Sequence, residues 1–382
     1  MSYLDSLTRD TDGNYLIATV DDLLGLSDYV NSGNDCAGVT FKLANDLDLA
    51  GIAFTVIGYG SDYKSTGVFN PFKGTFDGDG HTIRKLKINS NVEAIGLFGC
   101  VGTGGKIQNL ILENVKIYGD NRVGSVAGEN RGKITNCTVK NCDIKVPNDE
   151  TGDFCGVGSI VGWNDGEISC CSAENCDLDG RWTVGGIAGD NSGEVKNCTV
   201  ICSHINCFDK IGGLVGHNES KISNCYAGIK NISSRSKSPK DFGAIIGYNP
   251  NKNQGLSVEN CYYYLYKSNI ITNPKAIGDG KGNSSSIGTL SKIKISLLGG
   301  IKAELDDRII DGGDIYYKDG ATLILSGTLS AGDVIEILGS HSNLQLNGKT
   351  ATIDKLTIKI DCEIPDECEL KVKGNKIICV AI

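Results

Sequence analysis

Trp163, Asp190, His217 and Tyr248 stand at one offset in four successive copies of a short repeat, and they bring together the side chains that a sugar-binding surface uses. An aromatic ring covers the apolar face of a sugar, a carboxylate accepts from its hydroxyls, and an imidazole can donate to it. Glu129 fills the same offset one copy earlier, and Glu167 and Glu194 follow a few residues on. If the column projects outward, neighbours stand roughly 5 Å apart and the ladder is long enough for two or three sugar rings. A column of mixed polar residues also serves simply to keep an exposed face soluble. Sequence leaves both readings open.

Catalytic chemistry finds less support. A β-helical polysaccharide hydrolase needs two placed carboxylates, and a lyase needs a cation or base beside them. The acidic residues here are scattered, with no recurring Asp-Asp or Asp-His pair. The four histidines, His81, His204, His217 and His341, form no HExxH zinc motif, and there is no Gly-x-Ser-x-Gly elbow. Asp77-Gly78-Asp79-Gly80-His81 has the look of a calcium loop, yet the residues after it supply no further acidic ligand, so a tight turn is expected. No catalytic residue, metal or cofactor is therefore expected.

Cysteine is the other chemically active residue in quantity, with sixteen in the chain. Cys137, Cys171, Cys198, Cys225 and Cys261 share one offset, where the first copy has Leu110, and Cys142 and Cys176 share a second, where it has Val115. A position shared by Cys, Leu and Val reads as an inward core column, with the free thiol acting as a small hydrophobe. A disulfide ladder or metal-thiolate stack is the alternative. Parallel side chains one coil apart orient their Cβ vectors badly for a disulfide.

These columns exist because the middle of the chain repeats. Val123-Gly124-Ser125-Val126-Ala127-Gly128, followed by Lys133-Ile134-Thr135-Asn136-Cys137, is echoed from Val157, Val184, Ile211 and Phe242, with a divergent first copy from Ile95. The second glycine falls at 128, 162, 189, 216 and 247, giving steps of 34, 27, 27 and 31. A period in this range marks a solenoid. Lys133 to Val139 alternates apolar and polar residues, the strand pattern, and no repeat carries a helical stripe. Two or three short strands per copy make one coil of a parallel β-helix over residues 94–264. Asn130, Asn164, Asn191, Asn218 and Asn249, each two residues past the glycine, are expected to form a recurrent turn, because Asn tolerates left-handed backbone.

On either side the pattern changes. Residues 1–93 read as an N-terminal cap with the first coils; a helix is expected through Leu23, Leu26 and Val30, capped by Thr19 or Asp21 and ended at Ser32-Gly33. Residues 265–296, rich in Gly, Ser, Asn and Lys, read as a linker. Residues 297–382 hold seven short strand-like runs, which indicate a small β-sandwich-like domain. The net charge of −9 and the absence of a basic cluster argue against nucleic acid and anionic membrane surfaces as partners. No run reaches the length of a membrane span, and the first residues do not read as a signal peptide. Many reduced cysteines favour a reducing or anaerobic setting over disulfide stapling.

The phrase I/V-G-x-hydrophobic-V/A-G followed by G-x-I-x-N-C resembles the GLUG-motif repeats of bacterial surface proteins. Tyr15-Leu16-Ile17, Phe41 to Leu49 and Phe76 to Ile83 resemble the leader that precedes such repeats, so the likeness covers roughly residues 14–264. It implies a right-handed parallel β-helix, an extracellular or cell-surface location, and no catalytic residues. A non-catalytic adhesin-like module that binds glycan or protein is the expectation. The alternatives are a spacer or self-assembling filament subunit, and a polysaccharide-degrading β-helix.

Overall fold

The computed structural model describes residues 2–59, 69–146, 156–235, 241–250, 258–268, 277–279, 287–289, 291–296, 301–305, 308–310, 313–317, 320–338, 344–353, 356–374 and 376–382. The chain divides into two compact units, Met1–Ile287 and Gly288–Ile382.

The first unit is a parallel β-helix. Its first sheet stacks nine strands, from Tyr15–Ile17 through Thr40–Leu43, Thr75–Asp77 and Lys106–Gln108 to Val258–Glu259. Each strand is about one inward residue long. In Lys133–Thr135 only Ile134 is buried, and Ile134 lies in register between Ile107 and Ile168. Corners between short strands need left-handed backbone, which costs most residues about 1–2 kcal/mol and Asn less. That is why Asn109, Asn136, Asn197, Asn224 and Asn260, all with φ between 51° and 54°, directly precede the Leu110/Cys column, Cys170 holding the equivalent corner.

The recurrent-turn reading of Asn130, Asn164, Asn191 and Asn218 is thereby corrected. The left-handed residues are the asparagines before the cysteines, and the post-glycine asparagines point into the core. They are buried and joined in a ladder: Asn130 Nδ2 donates to Asn164 Oδ1, Asn164 to Asn191 and Asn191 to Asn218, each at 2.7 Å. A buried amide must find partners, and parallel stacking supplies one per coil.

The second sheet carries a further corner at Lys85, Asn114, Asn141 and Asn175. Where Asn175 gives way to Cys202 in the next coil, the corner disappears, and Thr199–Cys207 runs as one strand against both Ser172–Glu174 and Asp177–Asp179. The third and fourth sheets lie against one another through the two glycines of the repeated phrase. A Cβ at Gly128 would fall 2.2 Å from the carbonyl carbon of Ala94, and one at Gly124 would fall 2.5 Å from the Ala127 oxygen. The phrase is thus a close-packing device.

Cys137, Cys171, Cys198, Cys225 and Cys261 are all buried, inward thiols, as are Cys142 and Cys176. Each column thiol hydrogen-bonds a carbonyl two residues back, as Cys198 Sγ does to Lys196 O at 3.3 Å. Burial pushes the Cys137 and Cys198 thiols up, so they stay protonated.

The cap helix is Val20–Asn31 and buries Leu23, Leu26 and Val30 on the core. Thr19 is its N-cap, accepting from Asp22 N at 3.2 Å, while the Asp22 carboxylate takes Thr19 N at 2.9 Å, a reciprocal capping box. The Asp77–Gly80 segment forms a turn: Asp77 Oδ1 accepts Asp79 N at 2.9 Å, and Asp79 and Gly80 have positive φ.

Within residues 265–296, Ile277–Asp279 pairs with Ile246–Tyr248 as a further strand of the fourth sheet, and Ser291–Ser296 belongs to the second unit. The expected linker core, residues 278–286, is described only at Gly278 and Asp279, which lie in the strand Ile277–Asp279; residues 280–286 lie outside the described residues. The second unit packs a five-stranded and a six-stranded sheet over one apolar core that includes Leu305, Leu323, Ile337, Ile358 and Ile377. Among the described strands its pairings are antiparallel, except that Thr322–Thr328 runs parallel to Leu356–Glu363.

Candidate functional site

The fourth sheet brings the expected column together. Glu129 pairs with Trp163, Trp163 with Asp190, Asp190 with His217 and His217 with Tyr248, all in register. Cys100 precedes Glu129, and Asp279 follows Tyr248. Constant offsets in sequence thus become true neighbours in space.

The column is less open than an outward strip. Glu129 is fully buried, and the Asp190 and His217 side chains are 18% and 16% exposed. A second column faces it from the third sheet, at the residue before the apolar position that opens each phrase. Arg122, Thr183 and Lys210 stand there. Arg122 Nη1 pairs with Glu129 Oε2 at 3.2 Å and lays its guanidinium over the Trp163 ring at 4.1 Å. Arg131 bonds the other Glu129 oxygen. Thr183 Oγ1 donates to Asp190 Oδ2 at 2.7 Å, and Lys210 Nζ sits 4.7 Å from the Tyr248 ring centre. Sequence reading missed these partners, although their constant offset was a usable signal.

His217 Nδ1 lies 3.0 Å from Asp190 Oδ1, and its ring is tilted on Tyr248 with centroids 5.4 Å apart. The geometry is that of an oriented imidazole, but what faces it on the far side is a carboxylate. Nε2 is 3.5 Å from Glu219 Oε1 and makes no hydrogen bond. Among the described residues, Nε2 thus faces a carboxylate and is bonded to no hydroxyl or thiol that it could activate as a nucleophile. Nor do the carboxylates form a hydrolytic pair: Glu129 is clamped by two arginines, and both Asp190 oxygens are engaged. Among the described residues, no three His, Cys, Asp or Glu side chains are grouped to hold a metal ion.

More open aromatic surface lies nearby in the chain. Trp182, adjacent to Thr183, meets Phe208 edge-on at 5.8 Å, and Phe208 is 45% exposed. Arg181 lies over the Trp182 ring at 5.2 Å. This pair was not foreseen, because its members do not share one repeat offset.

Comparison with known proteins agrees with the repeat. The family model described as the GLUG motif matches residues 211–233, so the chain carries that motif. Halomucin of Haloquadratum walsbyi is 33% identical over 129 residues, covering 32% of this chain and 1% of that protein. A candidate Gly-rich membrane protein of Evansella cellulosilytica is 33% identical over 131 residues, 33% of this chain and 14% of that protein. The chain thus spans a small part of these relatives. In structure it is similar to a candidate immunoglobulin A1 protease from Bacteroides ovatus, with a TM-score of 0.55 and 19% identity over 75% of this chain and 86% of that one. At that identity the likeness speaks for the fold alone. Among the described residues, no helix is long and apolar enough to cross a membrane.

Proposed function

We propose that this chain is a non-catalytic surface module that binds an extended glycan along the column Trp163, Asp190, His217 and Tyr248, and that it acts outside the cell or at its surface. The observation that carries the reading is the register: two aromatic rings three coils apart, about 15 Å, with a donor and an acceptor between them. The relative named as a Gly-rich membrane protein supports the location. The engaged carboxylates argue against the polysaccharide-degrading alternative.

A glycan array read with the wild type and with the Trp163→Ala, Tyr248→Ala double variant tests this. Loss of two ring contacts should weaken binding about tenfold. Binding that survives the double variant unchanged removes the column from consideration and turns attention to protein ligands or to Trp182 and Phe208.

A second reading, a rigid spacer or self-assembling subunit, is favoured by one specific fact. Arg122 and Lys210 already cover ring faces that a sugar would need. Light scattering separates the two: polymers that grow with concentration support assembly, and a monomer that binds glycan supports the first reading.

A further inference from the structure

We propose that two copies of this chain pair edge to edge through the strand Cys368–Lys373, antiparallel about Leu370, and close as a dimer. That strand ends the five-stranded sheet of the second unit, and among the described strands it pairs with Lys376–Ala381 alone. Its outer edge offers backbone N–H and C=O groups to a further strand. Register says which ones. Ile382 N donates to Glu367 O at 2.8 Å, so Glu367 and Ile382 are a hydrogen-bonded pair. By alternation Glu369, Lys371 and Lys373 also turn their backbone groups to the neighbour, while Cys368, Leu370 and Val372 turn theirs outward. Cys379, opposite Leu370, agrees: its N–H and C=O go to Asp333 O and Gly332 N on the far side.

The charges on this edge are self-complementary. Glu367, Glu369, Lys371 and Lys373 alternate with Cys368, Leu370 and Val372, so acid fills one half and base the other about Leu370. With the twofold axis at Leu370, outward residues meet outward residues, Leu370 its own copy and Cys368 Val372 of the partner subunit. Glu369 then faces Lys371 of the partner subunit, and Glu367 faces Lys373 of the partner subunit, each twice by symmetry. These are the non-hydrogen-bonded pairs, where side chains approach most closely. An axis at Glu369 or Lys371 sets that residue against its own copy. An axis at Cys368 sets Glu367 against Glu369, and one at Val372 sets Lys371 against Lys373. Of the axes on this strand, only Leu370 gives opposite charges throughout.

Both faces fit this pairing. The four charged residues are exposed, whereas Cys368, Leu370 and Val372 are partly buried and packed on the core of the unit. A second copy covers the apolar surface that the edge leaves half open. Lys371 Nζ lies 2.7 Å from Glu369 Oε1 within the strand, an exposed pair that is readily exchanged for a cross-strand one. The remaining edges lack this pattern. Gly313–Tyr317 carries a single charge, Asp314, and Arg308–Ile310 and Gln345–Asn347 are three residues long. Edge charges usually prevent pairing by repulsion, and here the repulsion vanishes in one register. The contact is isologous, so it stops at two copies, and it involves no residue of the Trp163 column.

The test is sedimentation of the full chain over a range of concentrations, with Glu369→Lys, Lys371→Glu and an equimolar mixture of the two variants. Wild type should pass from monomer to dimer and stop there. Each variant alone sets like charges opposite each other and should raise the dissociation constant about tenfold. In the mixture every facing pair is again opposite in charge, so the dimer should return. Hydrogen exchange gives a second reading that needs no variant: the Leu370 and Val372 amides of wild type should slow as concentration rises. Wild type that is still monomeric at about 1 mM overturns the proposal. So does a variant that dimerises as tightly as wild type, or a mixture that associates no better than its parts.

Discussion

Asn164 donates its side-chain amide to Asn191 at 2.7 Å across one coil, and both residues are buried. Asn164 also accepts from Asn130 at the same distance, so it is the middle link of the chain. Removing it leaves the Asn191 oxygen without its donor and costs Asn130 its shorter bond. Each buried orphan costs about 1–3 kcal/mol, so Asn164→Ala should destabilise the first unit by about 3 kcal/mol. Asn224→Ala, in the exposed ladder, should cost about 1 kcal/mol, chiefly through its left-handed corner. Urea unfolding of both variants checks the ordering; equal losses would mean that the buried ladder contributes no more than the corner.

The two asparagine ladders show where sequence was legible and where it was not. Period, strand pattern and the burial of Cys137 through Cys261 followed from spacing, because a column must keep one environment along a stack. Which asparagine turns the corner did not follow. Asn130 and Asn136 both recur through the copies, the second giving way to Cys170 in one of them, and both positions admit Asn for different reasons, one for its amide and one for its backbone freedom. The column of Trp163, Asp190, His217 and Tyr248 was likewise legible as a column. Its exposure was not, because Arg122, Thr183 and Lys210 cover it from another sheet, and their shared offset, though visible, does not say which column they face.

Gly189 is fixed by close packing. An added Cβ would fall 2.3 Å from Val157 N and 2.5 Å from the Gly156 carbonyl carbon, and both are backbone atoms that cannot swing aside. Overpacking typically costs about 1–3 kcal/mol where side chains can yield. Gly189→Ala should therefore reach the top of that range or fail to yield folded protein. Thermal unfolding, with circular dichroism to confirm the strand signal, measures it; a variant within 1 kcal/mol of wild type, far below that range, would contradict the tight approach of the third and fourth sheets.

Thiol accessibility tests the core directly. In native protein, a thiol reagent should modify Cys170 fast, and the Cys137, Cys171, Cys198, Cys225 and Cys261 column only on unfolding. Thiols sealed in the core are out of the reagent's reach. Mass spectrometry after timed alkylation gives the order; rapid labelling of the whole column would mean that the β-helix opens in solution.

Asp165 carries a pH dependence with a definite sign. Burial, and then the negative charge of Glu129, raise its carboxyl above the ordinary value, while Arg131 and Arg122 oppose the shift. The folded state then holds the proton more tightly than the unfolded chain. Its stabilising contribution is full below the unfolded value and is lost as pH rises through the folded one. Asp165→Asn keeps the shape of the turn and removes the charge. The variant should unfold later than wild type at neutral pH and together with it in acid below the carboxylate range. Thermal melts at both pH values decide the matter. A variant less stable at neutral pH would show instead that the arginines outweigh burial and Glu129 at this turn.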